Sequence, residues 1–584
     1  MSKRWEIKNI YPQKFAEKLP GYNPVILQLL YDRGLDTHEK VDEFLNPDYT
    51  QDIHDPFLFN NMQKAVDRIN KAIQNKEKIL VYGDYDADGV TSSAVLVKTL
   101  EKIKAKDVGV YIPHRHLDGY GLNEKAIQGF IDKGIKLVIT VDCGITNIEQ
   151  IKLLKDNNID TIVTDHHLQA EQLPDAFAII NPSMETESYP FKKLAGVGVA
   201  FKLAQALFKS QNNPEEYEPF EKWLLDVVTI GTIGDVSPIL GENRTLVKYG
   251  LMVLNKTPRK GLRELIRVCS LSKGYDPNKE VPLGEDIYEL DVRNISWQLV
   301  PRINAAGRID HANLAYNLLI TEDEMEAVAL AQDINSKNIE RQKIAEKMLN
   351  ETEEIFGKVL DKQKILIASS KDWMPGIVGL VAGKLKDKYN RPVILFSQED
   401  DKYTGSARSI AELNITEAMR ECGEFLDRFG GHKKAAGLSL IGDDNYKKFV
   451  DKINKFTSDK LKDIEIVPTI EIDVELRMED LNWDLWDEIE KFEPFAEANP
   501  LPFFLIKNVK IEEMDIIGKN KNTLRFQLSQ NNERQKAISF GKVEEWGDKI
   551  NIGDKIDVVV EFGINEWNGN RELQFKILDL KKHE

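Results

Sequence analysis

Cysteine is scarce in this chain of 584 residues, which contains only Cys143, Cys269 and Cys422. Three widely separated thiols supply neither a disulfide framework nor a zinc site built on a Cys-x-x-Cys pair. Long apolar runs are missing too, because no stretch reaches the roughly 18 residues that a membrane-spanning helix needs. Residues 1–6 lead directly into mixed polar sequence, without the apolar segment of a secretory signal. These absences predict a cytoplasmic protein in a reducing compartment, with no membrane segment.

Positive charge is also in short supply, since the formal net charge at pH 7 is -17. Proteins that coat nucleic acid do so with lysine and arginine against phosphate, so this balance excludes binding through overall charge. Residues 361–460 are the exception, with 18 Lys and Arg against 15 Asp and Glu. Any nucleic-acid path is therefore expected to be local.

The pattern of apolar runs predicts several domains. With 42% hydrophobic residues over this length, three or four domains are expected rather than one. In the first part, short apolar runs alternate with helical stretches; they lie at residues 79–82, 108–112, 137–141, 161–163 and 178–180. Such continuous runs indicate a parallel sheet covered on both faces, with ligands at the strand ends.

Three further parts follow along the chain. The stretch from Glu324 to Leu360 has few helix breakers and predicts one long charged helix, which either links two lobes or lies on a surface. Apolar runs on either side of a helix then indicate a second, smaller α/β unit. Alternating runs from residue 524 to 578 indicate a small antiparallel barrel of the OB type. The predicted boundaries are 1–322 for the first α/β part, 323–360 for the helix, 361–460 for the second α/β unit and 461–584 for the barrel.

The strongest chemical signal is the sequence Gly-Asp-Tyr-Asp-Ala-Asp-Gly at residues 83–89. It follows an apolar strand, and a helix is expected to begin near Thr91. Three carboxylates in five residues repel one another, so the cluster is costly unless cations neutralise it. The spacing predicts a loop that delivers Asp86 and Asp88 to one place and leaves the position of Asp84 open. A solvated acidic turn is the structural alternative.

Further polar groups follow elements of the same part. Asp142 comes directly after the run 137–141, and Asp165-His166-His167 follows the next run. Adjacent imidazoles at a strand exit can supply one metal ligand and one proton donor or phosphate contact. Asp235 follows an apolar helical stretch, where a carboxylate taken alone is more often an ordinary helix-end residue.

These side chains are mainly hard oxygen donors, joined by one or two imidazoles. Such a set suits Mn²⁺ and is compatible with Mg²⁺, whereas zinc is less apt without cysteine ligands. Two divalent ions held close together could activate water near neutral pH and stabilise both the attacking and the leaving oxygen at phosphorus. The sequence therefore predicts phosphoester hydrolysis.

The motifs GDYDADG, VDCG, TDHH and GDVSP occur in the order of the four signature motifs of the DHH phosphoesterases, and the chain resembles that family. The resemblance implies five metal ligands, which are Asp86, Asp88, Asp142, His166 and Asp235. It further implies that Asp165 orients the histidine pair and that His167 lies close to the scissile phosphate.

Three later segments narrow the resemblance: PRINAAGR at 301–308, GSARS at 405–409 and GGHKKAAG at 430–437. They are similar to the RecJ family of bacterial exonucleases and to its substrate-binding domain, DHHA1. Arginine can grip phosphate through two hydrogen bonds, and glycine allows the backbone to approach it closely.

The same resemblance assigns substrate-binding residues. Arg302, Ser406 and Arg408 are expected to bind a substrate phosphate, with that of the 5′ end as one candidate, and Arg115 is a further candidate. His432 is expected near the active-site cleft, facing the scissile or a neighbouring phosphate. The structural alternatives are surface ion pairs for the arginines and a packed position at a helix start for His432.

The implied fold is a DHH parallel-sheet domain and a smaller α/β DHHA1 domain joined by a long helix, with a C-terminal OB-fold barrel. The implied activity is a 5′-to-3′ exonuclease that degrades single-stranded DNA to 5′-mononucleotides in DNA repair and recombination, with two Mn²⁺ or Mg²⁺ ions. A monomer is expected, with single-strand binding protein and a helicase as candidate partners.

The barrel offers four weaker candidates for contacts with a DNA strand, which are Arg525, Phe526, Trp567 and Arg571. They are weaker because aromatic residues in a barrel more often belong to its core. Ala496 and Ala498 stand where the family pattern has glycines, which leaves the local turn geometry open.

Three other functions share part of this pattern. A DHH phosphodiesterase for short oligoribonucleotides or cyclic dinucleotides would have the same metal motifs, but it would not need a strand-guiding barrel. A non-catalytic replication scaffold would have lost metal ligands, and every expected position is filled here. An inorganic pyrophosphatase would leave the barrel unexplained.

Overall fold

The computed structural model describes residues 3–115, 117–273, 287–357, 363–518, 520–567 and 570–583. These residues form two compact units. The larger unit contains His54–Ser237 and Tyr249–Ile466. The smaller unit contains the residues up to Ile53, Pro238–Lys248 and the residues from Val467 onward.

A five-stranded parallel sheet forms the centre of the first half of the larger unit. In spatial order its strands are Val108–Tyr111, Ile79–Gly83, Leu137–Val141, Asp160–Thr164 and Ala178–Ile180. The strands Ile79–Gly83 and Leu137–Val141 are buried at every residue. Because helices cover both faces of the sheet, these strands have no polar face, and the predicted parallel α/β fold is confirmed.

Helices account for most of the rest of the larger unit. Those before residue 321 are Met62–Gln74, Ala87–Lys102, Glu124–Asp132, Ile148–Asp156, Gly196–Lys209, Glu218–Trp223, Leu225–Gly234, Lys260–Val268, Val292–Asn294, Val300–Ile309 and Asn313–Ile320, with a π-helix at Ile295–Leu299 and a small β-ribbon of Ser272–Lys273 with Ile287–Tyr288. A further helix, Gly241–Leu254, spans the boundary between the two units. Within the described residues, no helix combines the length and the apolar character required to cross a membrane.

The predicted long helix is present as Glu324–Phe356, with 33 residues. Asp323 caps its start, because its side chain accepts a hydrogen bond from the backbone N–H of Glu326 at 2.8 Å. Residues 358–362, which include the predicted end at Leu360, lie outside the described part of the chain.

A second, mixed sheet follows the long helix. In spatial order its strands are Arg428–His432, Ala435–Ile441, Lys402–Arg408, Val393–Glu399 and Leu366–Ser370. Only the last two pair in parallel, and the helix Pro375–Tyr389 lies between them in the chain. The remaining helices of this part are Ile415–Glu421 and Asp443–Lys460. The sheet confirms the predicted second α/β domain.

The smaller unit contains the predicted barrel. Its strands are Phe503–Ile517, Thr523–Gln530, Glu533–Phe540, Lys555–Trp567 and Asn570–Lys582, and pairing of the first with the fourth closes the ring. The helices of this unit are Gln13–Lys18, Pro24–Asp32, His38–Leu45, Trp483–Glu490 and Val543–Trp546. The strand Val474–Glu475 extends the barrel sheet.

The smaller unit joins segments that are far apart in the sequence. The strand Arg4–Ile7 pairs in parallel with Thr469–Ile472. Phe15 and Leu30 share one apolar core with Phe504 and Phe526. This core buries residues from both parts of the chain, so the two segments stabilise each other.

Of the described barrel residues considered for DNA contacts, one lies in the core and two are exposed arginines beside acidic groups. Phe526 is only 1% exposed and belongs to the core, so it cannot stack on a base. Arg525 donates to Asp515 at 2.7 Å, and Arg571 lies 3.9 Å from Glu490. The side chain of Trp567 lies outside the described part of the chain.

A tight turn in this unit shows why the family pattern has glycine at the position of Ala498. Ala496 and Asn499 bridge the turn with backbone hydrogen bonds of 2.9 and 3.0 Å. Ala498 between them has a φ of 61°, a left-handed conformation in which the Cβ of an L-residue is strained. The glycine that the family pattern places there would fit without that strain.

Replacing Ala498 with glycine is therefore expected to stabilise the protein. Relief of the left-handed strain outweighs the added freedom of the unfolded chain, for a net gain of about 0.5–1 kcal/mol. The measurement is the thermal unfolding midpoint of the full chain. Ala496→Gly is the matched control and is expected to lower the midpoint, because Ala496 is not left-handed. A midpoint that does not rise for Ala498→Gly would contradict the argument.

Candidate active site

Three neighbouring strands of the parallel sheet end at the same level. Gly83 pairs with Val141, and Val141 pairs with Thr164, so the next residue of each strand leaves the same edge of the sheet. These next residues are Asp84, Asp142 and Asp165, which are 4%, 2% and 0% exposed. Burying three carboxylates together is costly, so their presence here indicates a site that needs them.

The first motif is built as a helix start rather than as the predicted loop. The helix begins at Ala87, not near Thr91, because the side chain of Asp86 caps it. Oδ1 of Asp86 accepts hydrogen bonds from the backbone N–H groups of Asp88 at 3.0 Å and Gly89 at 3.2 Å. Asp88 consequently lies in the first helical turn and is 1% exposed.

Asp88 is held by the start of a second helix, Gly196–Lys209. Its two carboxylate oxygens accept the backbone N–H groups of Gly196 at 2.7 Å and Val197 at 2.8 Å. The positive end of the helix dipole stabilises the carboxylate, which fixes its orientation toward the other acidic groups.

Two glycines allow this close packing. A Cβ on Gly89 would lie 2.5 Å from the carbonyl oxygen of Asp84. A Cβ on Gly196 would lie 2.6 Å from Oδ1 of Asp142. Both distances are shorter than real Cβ contacts, so only glycine lets residue 89 approach the backbone of Asp84, and residue 196 the carboxylate of Asp142, so closely.

Backbone strain occurs at one carboxylate and directly after another. Asp142 has a φ of 59°, and Val236, which follows Asp235, has a φ of 62°. A left-handed conformation is unusual for any residue with a side chain and costly for β-branched valine. Such strain is concentrated at functional sites, where the surrounding structure holds it in place.

The acidic and imidazole groups converge closely enough to hold a cation. Their ligand atoms lie within 4.8 Å of one another in three sets, which are Asp84 with Asp86 and Asp142, Asp88 with His166 and Asp235, and Asp142 with His166 and His167. All five ligands named from the sequence belong to these sets. Asp84, whose position was left open, belongs to them as well.

Buried atoms without hydrogen bonds support a metal site at this position. Oδ1 of Asp84, Oδ1 of Asp142 and Nε2 of His166 are buried and have no hydrogen-bond partner. The last two are only 3.1 Å apart. Buried polar atoms normally have a partner, so lone pairs directed into one small space fit a shared divalent cation.

The pKa values of the clustered carboxylates also support a metal site. Burial and the carboxylate of Asp86 raise the pKa of Asp84 to about 8. Burial and neighbouring carboxylates also raise the pKa values of Asp88 and Asp142 well above their usual range. Burial lowers the pKa of His166, but the charges of Asp235 and Asp88 outweigh it and raise that pKa. A cation would reverse this balance by favouring the ionised carboxylates.

The raised pKa values predict how the metal-free protein responds to pH. In the folded protein the carboxyl groups of Asp84, Asp88 and Asp142 hold their protons to a higher pH than in the unfolded chain. Their contribution to the free energy of unfolding is therefore complete below the unfolded pKa near 4. It is lost as pH rises through the folded pKa, which is about 8 for Asp84. The expected loss is on the order of 1 kcal/mol per pH unit for each such group.

Thermal unfolding of chelator-treated protein from pH 5 to pH 8 checks this prediction. The midpoint is expected to fall as pH rises, and saturating Mn²⁺ is expected to raise it and to remove the decline. A metal-free midpoint that stays level or rises over this interval would show that the carboxylates are ionised without a cation.

Asp165 holds the histidine pair. Its Oδ1 accepts from the backbone N–H groups of His166 at 2.8 Å and His167 at 3.1 Å, and lies 2.7 Å from Nδ1 of His167. Oδ2 accepts from the backbone N–H of Ile145 at 3.0 Å. Burial works to raise the pKa of Asp165, but the hydrogen bond and charge of His167 hold it below its usual value. An ionised Asp165 fixes the proton of His167 on Nδ1 and leaves Nε2 for other partners.

Asp235 approaches the cluster from the end of the helix Leu225–Gly234. Its Oδ2 accepts from the hydroxyl of Ser237 at 2.5 Å and lies 3.9 Å from Nδ1 of His166. Burial raises its pKa, although the charge of His166 opposes this. The helix end therefore brings Asp235 to the other carboxylates and does not leave it at a surface.

Two of the predicted phosphate ligands lie side by side on the strand Lys402–Arg408. Nη1 of Arg408 donates to the hydroxyl of Ser406 at 2.9 Å, and burial lowers the pKa of this guanidinium. Burial lowers the pKa of Arg308 to about 9, helped by the charges of Arg115, Arg341 and Arg408. Arg308 therefore lies among three other arginines.

The remaining predicted arginines are held by uncharged groups. The guanidinium of Arg115 stacks on the ring of Tyr85 at 4.0 Å, and its buried Nε has no hydrogen-bond partner. Arg302 donates from Nε to Asn335 at 2.9 Å and from Nη1 to the carbonyl of Gln298 at 2.9 Å. In the described part of the chain, neither Arg115 nor Arg302 has a carboxylate within ion-pair distance.

His432 is not brought into contact with the cluster. It ends the strand Arg428–His432, which is exposed at every residue. No hydrogen bond or ion pair between described residues connects its imidazole to the carboxylates or to the arginines. It also lies on a strand and not at a helix start, so the structural alternative considered for it is wrong.

Three residues of the site were not named in the sequence-based predictions. Arg308 ends the motif at 301–308 but was not singled out. Arg341, on the long helix, has a buried Nε without a partner, and burial together with Arg302 lowers its pKa. Tyr120 lies 3.2 Å from His167. Glycines on both sides of Tyr120 were the one available hint, because they indicate a tight turn.

Comparisons with known proteins agree with this architecture along the chain. Family models match residues 78–232 as the DHH family N-terminal domain, residues 362–459 as the DHHA1 domain and residues 472–579 as the RecJ OB domain. The predicted fold class is thereby confirmed in all three parts.

Similar sequences and solved structures cover nearly the whole chain. The single-stranded-DNA-specific exonuclease RecJ of Bacillus subtilis (strain 168) is 39% identical over 99% of this chain and 70% of its own length. The corresponding protein of Thermus thermophilus is 31% identical over 90% of this chain and 71% of its length. Crystal structures of Thermus thermophilus RecJ with Mn²⁺ and with Mg²⁺ superpose with TM-scores of 0.79 and 0.74 at 28% and 26% identity. Each covers 100% of this chain, which covers 80% and 79% of theirs.

Proposed function

The chain belongs to the RecJ family of DHH phosphoesterases, and from that premise we propose that it is a metal-dependent exonuclease that hydrolyses single-stranded DNA. The observation that carries the proposal is the buried cluster of carboxylates and imidazoles at the strand ends, with a second cluster of arginines in the same unit. The first set of groups suits hydrolysis of a phosphodiester, and the second suits recognition of its phosphates.

The metal ligands would be Asp86, Asp88, Asp142, His166 and Asp235, with Asp84 as a sixth candidate. The number and hardness of these donors suit two ions of Mn²⁺ or Mg²⁺. When bound, such ions supply the charge that activates a water molecule and stabilises the oxygens at phosphorus. Backbone N–H groups hold two of these carboxylates in place: that of Asp88 donates to the side chain of Asp86, and that of Gly196 donates to the side chain of Asp88.

His167 would serve as the proton donor to the leaving oxygen. The carboxylate of Asp165 accepts the hydrogen bond from Nδ1–H and orients the ring, so Nε2, which is protonated in the imidazolium form, is the atom that can face the substrate. The side chain of His167 is 37% exposed, which leaves room for a ligand at this nitrogen. A positioned imidazole contributes about 10²–10⁴-fold to such a proton transfer.

The arginine cluster would bind the end of the strand. Ser406, Arg408 and Arg115 offer hydroxyl and guanidinium donors, while Arg308 and Arg341 add positive charge beside them. A phosphate group at the 5′ end carries more charge than an internal phosphodiester, so this cluster favours an end over a chain interior. We propose release of 5′-mononucleotides in the 5′-to-3′ direction, which the family resemblance implies and which this arrangement supports.

Other parts of the proposal rest on the family resemblance alone. A role in DNA repair and recombination, a monomeric state, a cytoplasmic location, and contacts with single-strand binding protein or a helicase stay predictions. So do the four domain boundaries and the role of His432. The OB barrel is the part expected to guide the strand.

A time course of the purified protein with Mn²⁺ tests the proposal. The substrates are single-stranded DNA labelled at the 5′ or the 3′ end, blunt duplex DNA and an RNA dinucleotide. We expect shortening of single strands from the 5′ end with duplex left intact. Cleavage of the dinucleotide alone would favour a phosphodiesterase for short oligoribonucleotides, and no metal-dependent cleavage of any substrate would favour a scaffold.

Replacing Arg408 with methionine tests the proposed end recognition. The variant is expected to raise KM for 5′-phosphorylated strands by about tenfold, because a charge-assisted hydrogen bond is lost, and to leave KM for 5′-hydroxyl strands unchanged. Arg420→Met is the control, since Arg420 is an exposed arginine on a neighbouring helix of the same domain. An equal rise of KM for both kinds of end would assign Arg408 to the strand interior.

A further inference from the structure

Tyr120 lies at the edge of the carboxylate cluster, and its hydroxyl makes two contacts there. It is 3.2 Å from Nδ1 of His167 and 3.5 Å from the backbone carbonyl of Asp142. Its ring meets the imidazole of His167 edge-on, with centroids 5.7 Å apart and planes inclined by 70°. Because Tyr120 is 45% exposed, it is held in place by these contacts and by its backbone more than by burial.

The turn that carries Tyr120 is itself fixed. Gly119 and Gly121 have φ values of 78° and 79°, which places an αL residue on each side of the tyrosine. A Cβ on Gly121 would lie 2.6 Å from Oδ1 of Asn147. The same oxygen accepts the backbone N–H of Leu122 at 3.2 Å. The turn is therefore packed against Asn147, and the position of the phenol is set by the backbone.

The proton arrangement at His167 defines what the hydroxyl of Tyr120 can do. Asp165 accepts hydrogen bonds from three backbone N–H groups and from Nδ1–H of His167, the last at 2.7 Å. Since that nitrogen is then a donor, Tyr120 can only share the proton as a second acceptor. Its own O–H is free to point at the carbonyl of Asp142. The hydroxyl thus connects the imidazole to the strand end that bears a predicted metal ligand.

We infer that Tyr120 is a positioning residue, which fixes the imidazole of His167 relative to Asp142 so that Nε2 reaches the leaving oxygen; the inference rests on the proposed nuclease activity. In that reaction a water oxygen bonds to phosphorus while the bond from phosphorus to the 3′ oxygen breaks. His167 enters the step as the imidazolium, with a proton on each ring nitrogen. The leaving oxygen takes the Nε2 proton, the ring stays protonated on Nδ1, and the water loses a proton to solvent. Tyr120 does not exchange a proton in this step.

The test compares two single-stranded substrates that differ at one atom. Both carry a 5′ phosphate, and the first internucleotide linkage has either the natural 3′ oxygen or a bridging 3′ sulfur. A thiolate leaves without a proton, so the sulfur substrate does not need a positioned donor. The proteins are the full-length wild type, Tyr120→Phe and Tyr111→Phe, each with the same Mn²⁺ concentration. Tyr111 is the matched control, because its hydroxyl contacts Asp118 at 3.3 Å and none of the cluster.

On the oxygen substrate, Tyr120→Phe is expected to lower kcat by about tenfold, as for a lost hydrogen bond in an oriented site, with KM within about twofold of wild type. On the sulfur substrate, it is expected to match the wild type, and Tyr111→Phe is expected to match it on both. Equal losses on the two substrates would reduce Tyr120 to a structural role, and no loss on either would remove it from the mechanism. If the wild type releases nucleotide from neither substrate, the proposed function fails first and the inference fails with it.

Discussion

Replacing Asp142 with asparagine is expected to abolish hydrolysis of single-stranded DNA, by roughly a thousandfold or more, because a residue that acts with others in one unit has effects of that size. Asp142 belongs to two of the three sets of converging ligand atoms. Its Oδ1 is buried without a hydrogen bond and lies 3.1 Å from Nε2 of His166. An amide at this position supplies no negative charge to a cation, so both sets are weakened at once.

The same change is expected to stabilise the protein when no metal is present. The neighbours that raise the pKa of Asp142, after burial, are the carboxylates of Asp86 and Asp84. Asparagine has nearly the same shape and removes one of the repelling groups. The expected signature is a higher unfolding midpoint than wild type at pH 8 in chelator, with a smaller gain on adding Mn²⁺.

Asp156→Asn is the control for both measurements. Asp156 is exposed at the end of the helix Ile148–Asp156 in the same unit, so its loss of charge should leave activity and midpoint unchanged. Substantial remaining activity in Asp142→Asn, or a lower midpoint without metal, would remove Asp142 from the centre of the site.

Adding one methyl group at Gly196 is expected to cost about a hundredfold in activity, since a misplacement near 1 Å in an active site has effects of this size. The new Cβ would lie 2.6 Å from Oδ1 and 2.8 Å from Cγ of Asp142. Either the carboxylate must turn away or the start of the helix must move. If the helix moves, the hydrogen bonds from the backbone N–H groups of Gly196 and Val197 to the carboxylate of Asp88 are disturbed instead. Both routes displace a predicted metal ligand.

Activity and Mn²⁺ affinity, the latter by titration calorimetry, test the effect of Gly196→Ala. Both are expected to fall together, while the fold is retained. Gly383→Ala is the matched control, because it adds the same methyl group to a helix with nothing within 4 Å of the new atom. It should leave both quantities unchanged. Activity of Gly196→Ala within a few-fold of the control would show that the site can absorb the methyl group.

The convergence of the carboxylates and imidazoles could be predicted from the sequence, because most of these residues follow a strand or helix that local patterns reveal. Asp142 and Asp165 come directly after apolar runs, and the carboxyl ends of parallel strands must meet at one edge. For the motif at residues 83–89, the predicted start of the helix was wrong. Local spacing suggested a loop, but the cap formed by Asp86 starts the helix four residues earlier than expected.

The arginine cluster could be predicted only in part, because its members come from separate elements. Arg308 and Arg341 lie on two helices and Arg408 on a strand. Neither spacing nor composition shows that these three charges influence one another.

The place of the residues before Ile53 in the smaller unit also could not be predicted from the sequence. Their pairing with the segment after Val467 leaves no local pattern, since the two segments are separated by most of the chain.

That pairing has a consequence for biosynthesis. Arg4 meets Thr469, so the first strand has no partner until hundreds of later residues have been made. At about 5–20 residues per second, ribosomes need roughly 20 to 90 s to cover that separation. During this time Phe15, Leu30 and their neighbours have not yet met the residues that bury them. The apolar faces of the first helices therefore stay without their packing partners through most of synthesis.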